Sequence, residues 1–419
     1  MKPFPIIIIP FLLGSIFLFF WNLKYAFSVP TFDDNVTAQI PNSTKFDKFN
    51  ITGGESSTFP LRGISTTDSS LKKAKKWSPR PYEPDPRPAL EDLVVGWNVT
   101  GNLQWLVNFA IIGFPKCGTS TLMHYFRSNP EVHMDKDERC ELGANQHVTL
   151  VRSIYSDFPA GDYVRGIKCP QNLESNLAME NFQRFFPKTD IVIGIRHPVK
   201  WFESFYNHRI HNGFALPNAS SLIGGCRKGA YGVCTNRADF HYYLSRLGFT
   251  QMTDEEKELM PSRSNKGKFQ IFNLTGRVFL YEVEQLGDES DSRSKEFRVN
   301  LQNYLYLENE LPPMVWFKPG RAKEDEVAEQ LVRRKKINIC DEVNKNLRDT
   351  LMISAKYASR WIRDYFVQND RVVVSNPDHF KTLLKNWESD PCIGGGSHHK
   401  RTTKENCTKY GCFLSHKRM

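Results

Sequence analysis

The chain of 419 residues lacks several features that would point to common architectures or chemistries. It has no internal repeat and no long heptad pattern, which excludes solenoids and extended coiled coils. Its 9 cysteines and 11 histidines show no zinc-finger spacing, which argues against a metal site. An acidic excess is also missing, because 56 lysines and arginines face 46 aspartates and glutamates, a net charge of +10. This charge favours a polyanionic partner.

One long apolar run stands at the amino terminus. Residues 4–21 are almost wholly apolar, with Lys2 before them and Lys24 after them, and with its flanks the run is about long enough to span a bilayer. The run predicts an uncleaved type II signal-anchor. The alternative is a cleaved signal peptide with a small-x-small site at residues 26–28. Both alternatives place the remaining chain in the secretory lumen. This location excludes nucleic acid as the polyanionic partner.

Composition divides the chain into four predicted segments. They are a cytoplasmic tip and transmembrane anchor (1–28), a flexible lumenal stem rich in Ser, Thr, Asn, Pro and Gly (29–88), a globular domain (89–392) and a basic tail containing cysteines (393–419). The lumenal placement is supported by Asn-x-Ser/Thr sequons, which begin at Asn35, Asn42, Asn50, Asn98, Asn218, Asn273 and Asn406.

In the globular segment, apolar strand patterns alternate with helical patterns. This alternation predicts an α/β fold with a parallel sheet and helices on both faces. Strands are expected at 109–112, 128–134, 163–168, 190–196 and 277–283. An amphipathic helix is expected over 341–366, followed at 372–374 by a short strand or simply the helix exit.

Residues 109–122, FAIIGFPKCGTSTL, combine an apolar strand pattern, a glycine loop and a helix start with hydroxyl residues as caps. A strand, loop and helix N-terminus in this order form a cradle for an anion. Gly113 and Gly118 keep Walker A spacing, but Thr119 stands where the Walker lysine belongs, and the lysine is Lys116. The loop suits a phosphate-like group and is poorly built for a magnesium-nucleotide triphosphate.

A second strand pattern ends at Arg196, and Pro198 then opens a helix. Ser204 follows Arg196 by about two helical turns. Arg196 can donate through a bidentate fork and Ser204 through its hydroxyl.

Together these two motifs resemble those of sulfotransferases that use 3′-phosphoadenosine-5′-phosphosulfate (PAPS), a family with a P-loop NTPase-like sheet. The resemblance implies that the cofactor's 5′-phosphosulfate is bound by Lys116, Cys117, Gly118, Thr119, Ser120 and Thr121. It implies that Arg196 and Ser204 grip the 3′-phosphate. A basic loop that closes over the cofactor in the family is matched loosely by Arg321, with Lys323 behind it.

Two further segments resemble the branch of this family that modifies sugars in the secretory pathway. In that branch a glutamate at the position of Glu138 is the general base, and a strand ending in Lys-[Ser/Thr]-Pro resembles Lys168-Cys169-Pro170. The resemblance makes Lys116, Glu138 and Lys168 the candidate catalytic residues, with Lys168 holding either Glu138 or the sulfonate oxygens. The aromatic residues that usually follow the glutamate are absent, and Cys169 replaces the usual hydroxyl.

Other groups remain candidates for the base. Asp137 and Glu141 lie in the same charged stretch as Glu138, while no spacing supports His133 or His147. His124 is expected to pack or cap. The Tyr281-Glu282 strand end resembles one with a structural role in the family.

The cysteines are expected to pair in part, in an oxidising lumen. The pairs favoured by position are Cys226–Cys234, Cys340–Cys392 and Cys407–Cys412. Cys117, Cys140 and Cys169 lie near the predicted site and are expected to be free.

The resemblance implies a single-pass type II Golgi membrane enzyme that transfers sulfonate from PAPS to a carbohydrate hydroxyl, without a metal. Its acceptor would be a glycan or a polyanionic polysaccharide. Three alternatives remain: a sulfotransferase acting on tyrosine or a small molecule, a nucleotide kinase, and an inactive lumenal glycan-binding protein.

Overall fold

The computed structural model describes residues 81–248, 252–258, 260, 270–314, 317–318, 335–393, 405–408 and 411–414. For 317–318, 405–408 and 411–414 the description is limited to the strand backbone. The predicted anchor, most of the predicted stem and tail, and both Arg321 and Lys323 lie outside these ranges. Across the helices that are described, none is both long and apolar enough to cross a bilayer.

The α-helices of the described ranges are α1 (Leu90–Leu93), α2 (Thr119–Arg127), α3 (His147–Asp157), α4 (Asn176–Phe185), α5 (Pro198–His211), α6 (Phe240–Ser245), α7 (Asp254–Glu258), α8 (Asp291–Leu305), α9 (Lys345–Asp364) and α10 (Pro377–Asn386). Short 3₁₀ helices occupy Glu141–Ala144, Asn172–Glu174, Ala219–Leu222, Thr235–Ala238, Val283–Gly287, Glu342–Asn344 and Phe366–Gln368.

The strands of the described ranges are β1 (Val94–Val95), β2 (Asn98–Val99), β3 (Phe109–Ile112), β4 (Val132–Met134), β5 (Val164–Cys169), β6 (Asp190–Ile195), β7 (Val278–Glu282), β8 (Phe317–Lys318), β9 (Val372–Val373), β10 (Glu405–Thr408) and β11 (Gly411–Leu414). The first two form a hairpin, and β10-β11-β8 form an antiparallel sheet.

A six-stranded sheet of order β4-β5-β3-β6-β7-β9 forms the centre, and every neighbouring pair in it is parallel. After β3 the chain builds β4 and β5 on one side, then crosses to β6 on the other. The loops after β3 and β6 therefore diverge at the carboxyl edge, where α/β folds commonly bind ligands. The predicted parallel α/β fold is confirmed.

Both faces of the sheet are covered by helices, as β3 shows residue by residue. Phe109 and Ile111 pack into a core with side chains of α2 and α8. Ala110 and Ile112 face the opposite way, into a larger core that includes side chains of α3 to α6, α9 and α10. Successive residues of a strand point to opposite faces, so an unbroken apolar run is needed to bury both.

The predicted elements agree with the structure to within a few residues. The helix expected over 341–366 is α9, which a 3₁₀ turn precedes, and the short strand expected at 372–374 is β9. The strand β9 is hydrogen-bonded to β7 and closes that edge of the sheet.

Two of the predicted disulfides are confirmed. Cys226 is bonded to Cys234 across a separation of 8 residues, and Cys340 is bonded to Cys392 across 52. The second bond joins the start of the α9 region to the segment after α10.

The prediction that Cys140 and Cys169 are free is wrong, because they form a disulfide with a Cα–Cα distance of 5.2 Å. The strands β4 and β5 are parallel neighbours, so the segment after β4 returns to the end of β5 despite a separation of 29 residues. Cys117 is a free, buried thiol, as expected. Cys407 and Cys412 face each other in register on β10 and β11, but their side chains lie outside the described residues.

Candidate active site

The loop between β3 and α2, residues 113–119, is here called the anion loop. Lys116 and Gly118 both adopt positive φ, 68° and 81°, so the backbone turns sharply before the helix. The hydroxyl cap predicted for α2 is wrong, because the N-cap is Gly118, which has no side chain to cap the helix. A side chain at Gly118 would meet Leu286 at 2.3 Å, so the close packing requires glycine. The N–H groups of the first turn have no intrahelical acceptor and suit an anion.

Most side chains of the predicted cofactor segment point into the protein. Cys117, Thr119 and Thr121 are buried, so they can offer a ligand their backbone N–H groups more readily than their side chains. Burial raises the pKa of the Cys117 thiol well above its usual value. The Cys117 carbonyl accepts a hydrogen bond of 2.7 Å from the Tyr281 hydroxyl, so β7 supports the anion loop from behind.

The start of α5 lies beside the anion loop. His197 is the N-cap of α5 and accepts a hydrogen bond of 3.2 Å from the Val199 N–H. The Trp201 indole donates to the Pro115 carbonyl at 2.8 Å, which ties α5 to the loop. Ser204 is half-buried further along the same helix.

Arg196 ends the second strand and bridges to the anion loop. Its Nη1 donates to the Lys116 carbonyl at 3.4 Å. Its Nε is buried and has no hydrogen-bond partner among the described residues. Among the described residues the Nε atoms of Arg139 and Arg209 are in the same state, so what distinguishes Arg196 is its place beside the anion loop.

Lys168 and Glu138 meet at the same edge of the sheet. The Lys168 side chain is only 2 % exposed, and its Nζ contacts the Glu138 carboxylate and donates to the Ser120 hydroxyl at 3.2 Å. The Glu138 side chain is 49 % exposed. The structure therefore brings Lys168 and Glu138 to the first turn of α2. Among the site residues that the resemblance implies, the side chains of Lys168, Glu138 and Ser120 form one cluster.

The rival candidates for the base lie in different surroundings. Glu141 pairs with Arg139 at 3.2 Å, and Asp137 is exposed. The His133 ring packs on Tyr163 with centroids 4.2 Å apart. The ring of His147 stacks on Phe185, at 4.6 Å. None of these contacts involves Lys168, which pairs with Glu138.

Several titratable side chains lie around the anion loop. Burial lowers the pKa of the Lys116 amine, and the charges of Arg196 and Lys168 lower it further. His208 was missed in the sequence analysis: burial lowers its pKa to about 4, with added repulsion from Lys116 and Arg209. It lies one turn after Ser204 on α5, and this i, i+4 spacing is the signal that could have found it.

The Tyr281-Glu282 strand end has structural contacts. Glu282 is buried, which raises its pKa to about 8, with the neighbouring Glu284 adding to the shift. Its carboxyl accepts a hydrogen bond of 2.6 Å from the Glu284 N–H, and the Glu282 N–H donates to the Gln285 side-chain oxygen at 3.0 Å. This capping box fixes the chain where β7 ends, next to the anion loop.

Comparisons with known proteins add little. No protein-family profile and no curated protein matches the chain. Among solved structures, a sulfotransferase from Alicyclobacillus acidocaldarius is similar with a TM-score of 0.39 and 12% identity, over 61% of this chain and 95% of that one. A likeness of this extent does not identify an activity, which must be argued from the site residues. In the described ranges, no group of three or more His, Cys, Asp or Glu is placed to hold a metal ion.

Proposed function

We propose that this chain is a sulfotransferase that moves a sulfonate group from PAPS to a hydroxyl of a carbohydrate. One observation carries the proposal. A helix start whose N-cap is a glycine, with Lys116 in the preceding loop, lies beside Arg196, and a lysine–carboxylate pair stands at the same edge of the sheet. Two anion sites and a proton acceptor in one place suit transfer of a charged group between two oxygens.

The residues fit a donor that carries charge at both ends. Lys116 and the first-turn N–H groups of α2 would hold its phosphosulfate. Arg196, whose Nε has no protein partner among the described residues, would hold its 3′-phosphate together with Ser204. The Trp201–Pro115 and Arg196–Lys116 hydrogen bonds keep the two regions at a fixed separation, which favours one rigid ligand over two independent anions.

The residues of the protein are assigned two tasks, to accept a proton and to neutralise developing charge. Glu138 accepts the proton of the attacking hydroxyl while the new oxygen–sulfur bond forms and the bond from sulfur to the bridging oxygen breaks. Lys116 neutralises the charge that grows on the leaving phosphate, adenosine 3′,5′-bisphosphate. Lys168 holds the Glu138 carboxylate in place. By analogy with phosphoryl transfer, positioning and electrostatics dominate such a step.

A lumenal, anionic acceptor is the part of the proposal that depends most on composition. The net charge of +10 favours a polyanionic glycan, and the three disulfides among the described residues suit an oxidising compartment. With the apolar run at residues 4–21, these features support a type II enzyme of the Golgi membrane. His208, whose pKa burial and the charges of Lys116 and Lys168 lower, and the adjacent Arg209 are the first candidates to contact the acceptor.

The proposal is tested by transfer of radiolabelled sulfonate from PAPS, using the full-length chain. Acceptors are desulfated polysaccharides, a tyrosine peptide and a simple phenol. We expect label in a polysaccharide. This label should be lost in Lys116→Met and kept in the matched surface variant Lys345→Met. Label in the peptide or phenol alone would replace the carbohydrate acceptor, and no transfer to any acceptor would refute the activity.

A further inference from the structure

The loop that carries Glu138 has no regular structure of its own. It runs from the end of β4 to the 3₁₀ helix at Glu141–Ala144, and Glu138 is half-exposed within it. The hydrogen-bond partner of the carboxylate is Lys168. An ion pair with one half-solvated member contributes about 0–1 kcal/mol, which is too little to keep a loop in place.

A covalent bond joins the same two segments next to this ion pair. Cys140 comes two residues after Glu138, Cys169 comes one residue after Lys168, and the two are disulfide-bonded. Between them, the Arg139 N–H donates to the Lys168 carbonyl at 2.8 Å. The disulfide, the backbone hydrogen bond and the ion pair thus close a small ring that contains both functional side chains.

The strand side of this ring is rigid. Lys168 and Cys169 are both almost fully buried, and β5 pairs with a parallel strand on each side. The loop is also attached elsewhere, because the Arg139 guanidinium pairs with Asp157 of α3 at 2.7 Å. That contact fixes the loop to a helix, whereas the disulfide fixes it to the strand that presents Lys168.

We infer that the Cys140–Cys169 disulfide is a positioning element that holds the Glu138 carboxylate against Lys168 at the reacting centre. This inference rests on the proposed function. Displacing a reacting group by about 1 Å can cost on the order of 10²-fold in rate. A bond that limits the loop to one position therefore acts on turnover more than on binding of PAPS, since the residues assigned to PAPS lie in the anion loop, in α2 and α5, and directly after β6.

The test compares full-length wild type with Cys140→Ser/Cys169→Ser. We expect kcat for sulfonate transfer to fall about tenfold or more, while the Kd for adenosine 3′,5′-bisphosphate changes by less than about twofold. The matched control, Cys226→Ser/Cys234→Ser, opens another disulfide and should change kcat by less than about twofold.

A double-mutant cycle separates positioning from general support of the fold. If the disulfide acts through Glu138, opening it in a Glu138→Gln background should cost less than about twofold in the remaining rate. Should the double cysteine variant fail to fold, folded wild type is partly reduced without denaturant. The opened disulfides are then identified by mass spectrometry, and the fraction opened is compared with kcat and with the affinity for the bisphosphate.

The outcomes distinguish the inference from the function on which it rests. An unchanged kcat after opening of Cys140–Cys169, an equal loss in the Glu138→Gln background, or a parallel loss of bisphosphate binding would each overturn the positioning role. Failure of wild type to bind the bisphosphate or to transfer sulfonate would instead refute the proposed function.

Discussion

Replacing Lys168 with methionine should separate turnover from stability. The substitution keeps most of the side-chain volume and removes a cation that is only 2 % exposed. Its partner Glu138 is 49 % exposed, so water can solvate the carboxylate once the lysine is gone. Breaking a fully buried pair costs about 3–5 kcal/mol, but here the remaining charge is not trapped. We therefore expect the free energy of unfolding to change by no more than about 1 kcal/mol.

The effect on turnover should be much larger. Without Lys168 the Glu138 carboxylate loses its hydrogen-bond partner, and the Ser120 hydroxyl at the start of α2 loses a donor at 3.2 Å. We expect kcat for sulfonate transfer to fall about 10²-fold, which corresponds to about 2.7 kcal/mol of transition-state stabilisation.

The assay pairs urea unfolding with initial rates, and Arg277→Met is the stability control. Arg277 and Asp190 are 9% and 16% exposed, and their pairing joins the starts of β7 and β6. Loss of this arginine leaves a largely buried carboxylate, so we expect about 3 kcal/mol or more of destabilisation. If Lys168→Met destabilises the protein as much as Arg277→Met and leaves kcat unchanged, Lys168 is a structural residue and the reasoning is wrong.

Three further predictions follow from individual side chains. Lys116→Ala should lower kcat about 10²-fold or more, because the leaving phosphate loses its neutralising charge; an unaltered single-turnover rate would contradict this. Glu138→Gln should lower kcat with little change in bisphosphate affinity, and an unchanged rate would move the base elsewhere. The pKa of Glu282 is raised from 4.5 to about 8, so the folded chain retains a proton that the unfolded chain loses. Stability should therefore fall as pH rises between these values, and Glu282→Gln should flatten this decline in urea melts; parallel pH profiles would disprove it.

The central fold could be predicted because its strands are short apolar runs with clear breaks. For β3 the predicted and observed bounds coincide, and for β6 they differ by one residue at Arg196, since buried parallel strands need apolar residues on both faces. The anion loop and Arg196 were predicted from their position after these strands. Segments that follow parallel strands lie at the carboxyl edge of the sheet, so their location does not depend on the rest of the chain.

Contacts that depend on the pairing of strands were harder to predict. The Cys140–Cys169 bond was missed because 29 residues separate the two cysteines, and only the β4–β5 pairing brings them together. The hydroxyl cap of α2 was wrong because Gly118 adopts the left-handed conformation that places the cap one residue earlier. His208 was missed because its relation to Lys116 arises from the packing of α5 on the anion loop.

The most direct test of the central claim is calorimetric titration of the full-length chain with adenosine 3′,5′-bisphosphate. The account predicts saturable one-to-one binding that weakens at least about tenfold in Arg196→Ala, because a charge-assisted hydrogen bond contributes about 1.5–3 kcal/mol. The surface variant Lys345→Met should bind like wild type. Folded wild-type protein that shows no affinity for the bisphosphate would contradict the account.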